Sequence, residues 1–482
     1  MFPPDSALAQ ALTRRAFFRR AGLGVGSMAL ASLLDPLKAA TNSAPAGAAG
    51  IVNPLHFPAR AKRVIYLFQS GAPSQLDLFD NKPKLKEMTG LDLPDSVRMG
   101  QRITGMTSGQ KNLFCVGSPF GFSRRGQCGM ELSDLLPHIG GIADDICLLR
   151  AVHTDPINHD PAVTYLFTGH QQPGRPTLGA WLSYGLGSEN SDLPAFIVLL
   201  SGRGGQSLQT RYWGSGFLPG RHQGVQFRGV GDPVLFFSNP PGVSGEGRRA
   251  MLDDVQAMNR LQFDAVHDPE IQTRIEAYEM AFRMQTSVPE LVDLSKESAE
   301  TLALYGAKPG EASFANNCLL ARRLVERGVR FVQLIHRDWD HHGGLPDGIR
   351  QQTKLTDQAS AALITDLKRR GLLEDTLVVW GGEFGRTSYC QGELRKDNFG
   401  RDHHPRCYSL WLAGGGIKGG FTFGETDDLG YNIVNQGVHI HDLHATILHC
   451  LGLDHTRLTY RFLGRDFRLT DIAGQVVKDV LA

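Results

Sequence analysis

Between residues 329 and 412, strand-length apolar runs alternate with polar clusters and a helical segment, and this alternation constrains the fold most. The apolar runs are 329–335, 376–380 and 408–412, and an amphipathic segment at about 354–370 separates the first two. Runs rich in β-branched and apolar residues are typical of strands buried on both faces of a sheet. The pattern therefore predicts an α/β fold with a mostly parallel central sheet.

Polar clusters flank these runs. Residues 338–344 follow the first run, residues 381–387 follow the second, and residues 400–405 lie just before the third. In parallel sheets, ligands bind in the crevice beyond the carboxyl ends of the strands. The order of the sequence places two of the clusters there, so it predicts a binding site at this edge of the sheet.

The clusters are rich in groups that bind metal ions. They contain the acidic residues and histidines Asp338, Asp340, His342, Glu383, Asp402, His403 and His404. Imidazole nitrogen and carboxylate oxygen suit divalent Zn, Mn, Ca or Fe, and ligands from several loops leave a position open for water or substrate. Solvated loop residues are the alternative explanation for any single cluster. Arg386 could bind an anionic substrate oxygen, or it could pair with Glu383 or Asp402.

Two further loops are expected at the same edge. The run 63–68 predicts a strand, and Ser74 in the loop after it is either the N-cap of the next helix or a site residue. The run 146–152 predicts another strand, and His159 follows it before a helical segment. This histidine is either a hydrogen-bonded loop residue or part of the site.

The N-terminal 46 residues are predicted to be an export signal and linker. The twin arginines Arg14 and Arg15 precede an apolar stretch at 21–34, which is too short to span a bilayer. This pattern predicts export by the twin-arginine translocation (Tat) machinery, and a periplasmic, cell-surface or secreted location. An amphipathic N-terminal helix is the alternative.

Residues 47–482 are predicted to form one domain, with a loop insertion near 201–247 and a helical segment near 248–327. No other segment is apolar enough to span a membrane, so we expect no transmembrane span in the mature chain. The net charge of +1 gives no reason to expect nucleic acid as a partner. The seven cysteines form no Cys-x-x-Cys pair, which argues against a thiolate zinc site.

Several spaced motifs resemble the domain-of-unknown-function 1501 family, and they extend over nearly the whole mature chain. They lie at 71–80, 339–342, 383–387, 400–403 and 442–446. This family is grouped with the alkaline-phosphatase-like superfamily of phosphatases, sulfatases and cofactor-independent phosphomutases. The resemblance implies a three-layer α/β/α sandwich with metal ions at the strand ends.

The resemblance also implies ligand positions. Asp338 and His342 match an Asp-x-x-x-His ligand pair of the superfamily, whereas the narrower family favours Asp340 with His342. Glu383 and Phe384 stand where the superfamily usually has an Asp-His pair. Either His403 or His404 stands where its last histidine ligand falls.

The chain also departs from the superfamily pattern. The first strand of those enzymes ends in a metal-binding aspartate, whereas Gln69 and Ser70 follow the run here. Their nucleophile lies about nine residues before a Thr-Gly pair, and that position, counted back from Thr168, is His159, which could act as an acid/base or as a metal ligand. These departures argue against a covalent phospho- or sulfo-enzyme, and they favour one metal ion per chain rather than two.

The sequence thus favours an exported, metal-dependent hydrolase of phosphate or sulfate esters, acting on an anionic small molecule or saccharide. In this hypothesis Asp340, His342, Glu383 and His403 hold the metal, Arg386 orients the anion and His159 moves protons. The alternative is a non-catalytic exported binding or surface-assembly protein that keeps the fold and a structural metal. An open coordination position distinguishes the two, because a structural metal lacks one.

Overall fold

The apolar runs of the sequence lie side by side in a central β-sheet. The computed structural model describes residues 50–482, apart from 203, 205, 206, 230, 235–237, 240, 241, 396 and 397. The predicted export signal and linker at 1–46 lie outside the described residues. Within them, the strands are β1 (Arg63–Gln69), β2 (Phe122–Arg125), β3 (Met130–Ser133), β4 (Ile146–His153), β5 (Phe196–Ser201), β6 (Val225–Phe227), β7 (Phe331–His336), β8 (Thr376–Gly381), β9 (Gly385–Arg395), β10 (Asn398–His404), β11 (Tyr408–Ala413), β12 (Phe421–Phe423), β13 (Glu425–Thr426), β14 (Ile433–Asn435), β15 (Val438–His439), β16 (Tyr460–Phe462) and β17 (Arg465–Phe467). The α-helices there are α1 (Gln75–Leu78), α2 (Pro83–Glu87), α3 (Asp95–Arg98), α4 (Pro137–Gly141), α5 (His159–Thr168), α6 (Leu178–Leu186), α7 (Gly245–Val266), α8 (Pro269–Val292), α9 (Ala299–Tyr305), α10 (Phe314–Glu326), α11 (Leu345–Arg369) and α12 (Ile440–Cys450).

The central sheet is mostly parallel. Its strands lie in the order β12-β4-β11-β8-β1-β7-β5-β6, and β15 pairs with the end of β4. Strand β1 runs parallel to β7 and β8, and β5 runs parallel to β6 and β7. Strand β11 runs antiparallel to both of its neighbours, β4 and β8. The predicted α/β fold with a mostly parallel sheet is confirmed.

Helices cover both faces of the sheet. Successive side chains of a strand point to opposite faces, and in β1 Ile65 and Leu67 belong to one hydrophobic core whereas Val64 and Tyr66 belong to the other. The first core also contains buried residues of α10 and α11, and the second contains buried residues of α5, α6 and α12. The chain therefore forms the three-layer α/β/α sandwich that the resemblance implied.

The carboxyl ends of the inner strands meet at one edge of the sheet. The last residue of β1, Gln69, pairs with the last residue of β7, His336, and Phe68 pairs with Gly381 at the end of β8. Strand β4 runs in the same direction, because β11 is antiparallel to both β4 and β8. The loops that leave these four strands are therefore brought together at this edge.

Two predicted elements differ from the structure. The helix expected at about 354–370 begins earlier and spans Leu345–Arg369, with Pro346 in its first turn, where proline is tolerated. The cluster at 400–405 was expected in a loop, but most of it belongs to β10, which forms a hairpin with β9. Its charged residues Arg401 and Asp402 are buried in that hairpin. Because charged residues are more common in loops, the sequence of this strand suggested a loop.

The region 201–327 has a mixed structure. Part of the predicted loop insertion near 201–247 lies outside the described residues, and β6 within it adds an edge strand to the sheet next to β5. The helices α7 to α10 follow, and α10 packs on the first core.

All seven cysteines are unpaired, and Cys128 is exposed whereas the other six are buried. Over the residues that the structure describes, no helix has the length and hydropathy needed to cross a membrane.

Candidate metal centre

Four side chains converge at the carboxyl edge of the sheet. His159 is the first residue of α5, which follows β4, while Asp340 and His342 lie in the loop after β7. His403 comes from β10 of the hairpin. One nitrogen or oxygen atom of each of these four residues lies within 4.8 Å of those of the other three. We call these four residues the metal group.

The distances within the metal group centre on one carboxylate oxygen. Asp340 Oδ1 lies 2.8 Å from Nε2 of His342, 3.2 Å from Nε2 of His159 and 3.8 Å from Nε2 of His403. The Nε2 atoms of His342 and His403 are 3.1 Å apart. Three imidazole nitrogens thus surround the same oxygen.

The other nitrogen of each ring faces an acceptor. The acceptors of the Nδ1 atoms are Glu383 Oε1 for His159 at 2.5 Å, Gln391 Oε1 for His342 at 2.5 Å and the Ile157 carbonyl for His403 at 2.8 Å. Because these oxygens can only accept, each neutral ring carries its proton on Nδ1 and has its lone pair on Nε2. Three lone pairs and one carboxylate therefore point into a common space.

This donor set fits a divalent cation. In a tetrahedral site with Zn–N bonds of 2.0–2.1 Å, neighbouring ligand atoms are about 3.3 Å apart, close to the separations described above. The Nε2 atom of His159 is buried and has no hydrogen-bond partner in the described structure. Metal-binding histidines normally donate their second N–H to a carboxylate or carbonyl oxygen, as the rings do here. The structure thus holds a possible His/Asp site for a divalent metal ion.

The electrostatics of the metal group favour a positive charge beside Asp340. Burial alone would lower the pKa of His159, but the neighbouring carboxylates of Asp340 and Glu383 outweigh burial and raise that pKa. Burial alone would raise the pKa of Asp340, but its contacts with the three histidines and the charge of Arg386 hold that pKa far below its usual range. Burial lowers the pKa of His403 to about 4, so this ring stays neutral at pH 7.

Arg386 pairs with Asp340 rather than with Glu383 or Asp402, the partners considered from the sequence. Its side chain is buried, and Nη2 lies 2.6 Å from Asp340 Oδ1. Its other acceptors are the backbone carbonyls of Gly71, Ala72 and Arg401. Four of the five guanidinium N–H groups are therefore engaged, and the main action of Arg386 is to fix Asp340 against the loop after β1.

Glu383, expected as a ligand, lies behind His159. Its side chain is fully buried, and its oxygens accept from Nδ1 of His159 at 2.5 Å and from the backbone N–H of Gly71 at 3.1 and 3.3 Å. The structure thus places His159, rather than Glu383, in the metal group. Glu383 orients that ring instead.

Three other residues named from the sequence lie outside the metal group. Nε2 of His404 donates to the carbonyl of Tyr431, 2.7 Å away, on the other side of β10 from His403. The Ser74 hydroxyl donates to Asp77, 2.5 Å away, and makes no side-chain cap of α1. Asp338 has a positive φ of 90° and helps to turn the chain towards Asp340.

Sequence reasoning missed the supporting contacts. Arg401 forms a fully buried ion pair with Asp77, 2.9 Å apart, and Asp402 accepts from the hydroxyls of Thr104 and Thr107, both at 2.5 Å. These contacts hold β10, and with it His403, against the loops after β1 and at 104–107. Residues about 300 positions apart in the sequence form them, so spacing alone gave no signal.

One side of the metal group is open to solvent. The side chains of His342 and Asp340 are 26% and 18% exposed, whereas those of His159 and His403 are 8% and 4% exposed. A small ligand can therefore approach past His342 and Asp340.

The family of the chain follows from a match over most of its length. Residues 61–481 match a family model described as "Protein of unknown function (DUF1501)". The chain belongs to this family. No curated protein matches the chain in sequence.

Solved structures of low sequence identity are also similar to the chain. The lipoteichoic acid synthase LtaP from Listeria monocytogenes is 9% identical with a TM-score of 0.37, covering 88% of this chain and 78% of that one. Alkaline phosphatase from the Antarctic bacterium TAB5 is 9% identical with a TM-score of 0.31, covering 82% and 99%. The PsFucS1 sulfatase from Pseudoalteromonas sp. is 12% identical with a TM-score of 0.35, covering 82% and 68%.

Proposed function

We propose that this protein is an exported hydrolase of phosphate or sulfate esters that depends on one divalent metal ion per chain. His159, Asp340, His342 and His403 hold the ion, in place of the set with Glu383 that the sequence suggested. The convergence of three Nε2 lone pairs on Asp340 Oδ1 is the observation that carries the proposal. Export through the Tat machinery to the periplasm, cell surface or medium rests on the twin arginines.

Residues around the metal group orient its ligands and favour the binding of an anionic ester. When bound, a divalent cation supplies Lewis-acid polarisation of the ester and makes water a better nucleophile near neutral pH. Glu383 keeps the Nδ1 proton on His159, so that Nε2 remains a donor to the ion. Arg386 holds Asp340 in place and puts a positive charge beside the metal group that attracts an anionic substrate.

The substrate class is supported by the motif resemblance set out above and by the open side of the metal group. Substrate entering past His342 and Asp340 meets the ion before it meets the buried rings of His159 and His403. A small phosphate or sulfate ester, or the charged end of an anionic saccharide, fits this approach.

A second candidate function is supported by the number of ligands. Four protein donors would fill a tetrahedral ion, and a filled ion is typical of structural sites. The chain would then be a non-catalytic exported binding or surface-assembly protein. Ions that take five or more ligands leave room for water beside the same four residues.

Metal content of the mature protein, purified from its own host, tests the proposal. We expect about one divalent ion per chain, with loss of the ion in an Asp340→Ala/His342→Ala double variant that keeps its fold by circular dichroism. The same preparations are then assayed with phosphate and sulfate esters. An absence of metal in the folded wild-type protein would refute the metal-dependent hydrolase.

Water at the ion separates the two candidate functions. After replacement of the ion by Mn²⁺, we expect enhanced relaxation of solvent protons, because an open position binds exchanging water. An ion without exchangeable water, together with no ester hydrolysis, would leave the non-catalytic protein as the better explanation.

A further inference from the structure

A cavity beside the β2–β3 hairpin lies apart from the residues of the metal group. It has a volume of about 310 Å³, and its lining includes Arg124, Glu131, Arg150, Thr422 and Cys128. This volume is at the lower end of the range for small-molecule sites. Two guanidinium groups and one carboxylate line this small cavity, so its lining carries a net positive charge.

Among the residues that the structure describes, the guanidinium of Arg124 has no partner. Arg124 and Glu131 face each other in the register of the hairpin, where a cross-strand ion pair would be expected. Among the described residues, however, Arg124 forms no ion pair, and Glu131 instead accepts a hydrogen bond from Asn81, 3.1 Å away. Arg124 is exposed at the cavity, and its charge is available to a ligand.

The charge of Arg150 is only partly compensated. Its Nε lies 3.7 Å from Oδ1 of the buried Asp80, and its side chain is 26% exposed. The same Asp80 oxygen lies 3.1 Å from the ammonium of Lys82. One carboxylate thus faces two cations, so a surplus positive charge remains next to the cavity.

We propose that this cavity binds a sulfate or phosphate group of an anionic saccharide, at a position separate from the scissile ester. Arg124 and Arg150 bind the tetrahedral oxyanion, because guanidinium forks match such oxygens. Glu131 repels a bare anion but accepts hydrogen bonds from sugar hydroxyls, and the Thr422 hydroxyl adds a polar contact. The combination selects a charged sugar over a free inorganic anion.

A neighbouring cavity extends the surface for such a chain. It has a volume of about 240 Å³, and Lys82, Lys86, Phe120 and Phe122 contribute to its lining. Asn81 also lines this cavity and donates to Glu131 in the first one, so the two cavities adjoin. The exposed Lys86 and the half-buried Phe122 suit the next unit of an anionic saccharide. Binding of the saccharide does not depend on the proposed function; only its role as a substrate of the hydrolase rests on that function.

Cys128 provides a direct measure of occupancy. It lines the first cavity and is exposed, whereas the other six cysteines are buried, so iodoacetamide should alkylate it selectively in the folded protein. We expect a sulfated disaccharide to slow the alkylation as 1/(1 + [L]/Kd), about elevenfold at ten times the dissociation constant. The desulfated disaccharide should not slow the alkylation. Inorganic sulfate or phosphate should halve the alkylation rate only at a higher concentration than the sulfated disaccharide. Sodium chloride at equal ionic strength serves as the solvent control.

Variants assign the effect to the two arginines. Arg124→Gln alone, and Arg124→Gln/Arg150→Gln together, should abolish the protection, while Arg260→Gln on the exposed surface of α7 should leave it unchanged. Unchanged melting temperatures and metal content show that the variants fold. If the double variant does not fold, the single variant Arg124→Gln is sufficient for the test. The proposal would be overturned if the sulfated disaccharide gave no protection of Cys128, or if inorganic sulfate protected it equally well. Protection that persists in the Arg124→Gln variant would also overturn it. Chelation of the metal should leave protection intact, so this proposal and the hydrolase proposal can fail independently.

Discussion

Replacement of Glu383 by glutamine tests whether His159 is a metal ligand. Glu383 is fully buried, and its oxygens accept from Nδ1 of His159 at 2.5 Å and from the N–H of Gly71. Glutamine has the same shape, and its single oxygen can accept from both groups. The substitution therefore removes the charge while it preserves the geometry around His159.

The size of the effect follows from what is lost. Charge-assisted hydrogen bonds are about twice as strong as neutral ones, and loss of an outer-shell partner weakens metal binding about 10- to 100-fold. Because Glu383→Gln keeps an acceptor, we expect the lower value, about tenfold, or about 1.4 kcal/mol. Glu383→Ala should approach the upper value. It should also lower the free energy of unfolding by about 2–6 kcal/mol, since two buried donors lose their acceptor at about 1–3 kcal/mol each.

The assay is a zinc titration of the metal-free protein against a chromophoric chelator of known affinity. Glu393→Gln is the matched control, because Glu393 lies on the exposed part of β9 and is 74% exposed. Its zinc affinity should equal that of the wild-type protein. If Glu383→Gln also bound zinc with wild-type affinity, His159 would not be a ligand oriented by Glu383, and the reasoning from ring tautomers would be wrong.

Three other predictions concern stability. Asp77→Asn leaves the fully buried Arg401 without its counter-charge and should lower the free energy of unfolding in urea by about 3–5 kcal/mol; no change would contradict the role of this pair. Arg386→Lys should lower both the melting temperature and the zinc affinity, because one ammonium cannot replace a guanidinium that spans Asp340 and three carbonyls. Burial lowers the pKa of His336 to about 4 and that of His444 to about 3, so the unfolded chain binds their protons first as the pH falls below about 6.5. Stability should then fall by about 1.4 kcal/mol per pH unit for each histidine, and urea unfolding at pH 7, 6 and 5 against the His336→Gln variant measures this slope.

The fold was predictable because buried parallel strands have a strong sequence signature. The runs that became β1, β4, β7, β8 and β11 are mostly apolar and almost entirely buried, as helices on both faces of the sheet require. The edge of the sheet at which the candidate site lies could be predicted from the direction of the strands alone. The hairpin of β9 and β10 was missed because its buried charged residues, Arg401 and Asp402, are paired with distant parts of the chain, so the segment looks like a loop in sequence.

The candidate site was predictable only in outline. Asp340, His342 and His403 could be selected because they lie close to strand ends in the sequence. The choice between the two roles considered for His159, acid/base or metal ligand, could not be made from the sequence, since it depends on how the loop after β4 packs against the end of β8. His159 and Glu383 are 224 positions apart and meet at 2.5 Å. Likewise, only the folded chain shows that the guanidinium of Arg386 is occupied by backbone carbonyls.

The unpaired cysteines bear on where the chain can reach its native state. All seven are free thiols in the structure, and burial holds the pKa of Cys147 and Cys450 at about 12, so these two remain protonated and slow to oxidise. A fold without disulfides needs no oxidising compartment and can form completely in a reducing cytosol. The same architecture should then persist unchanged in an oxidising environment. A chain that uses the twin-arginine route, which carries folded proteins, would have to meet this requirement.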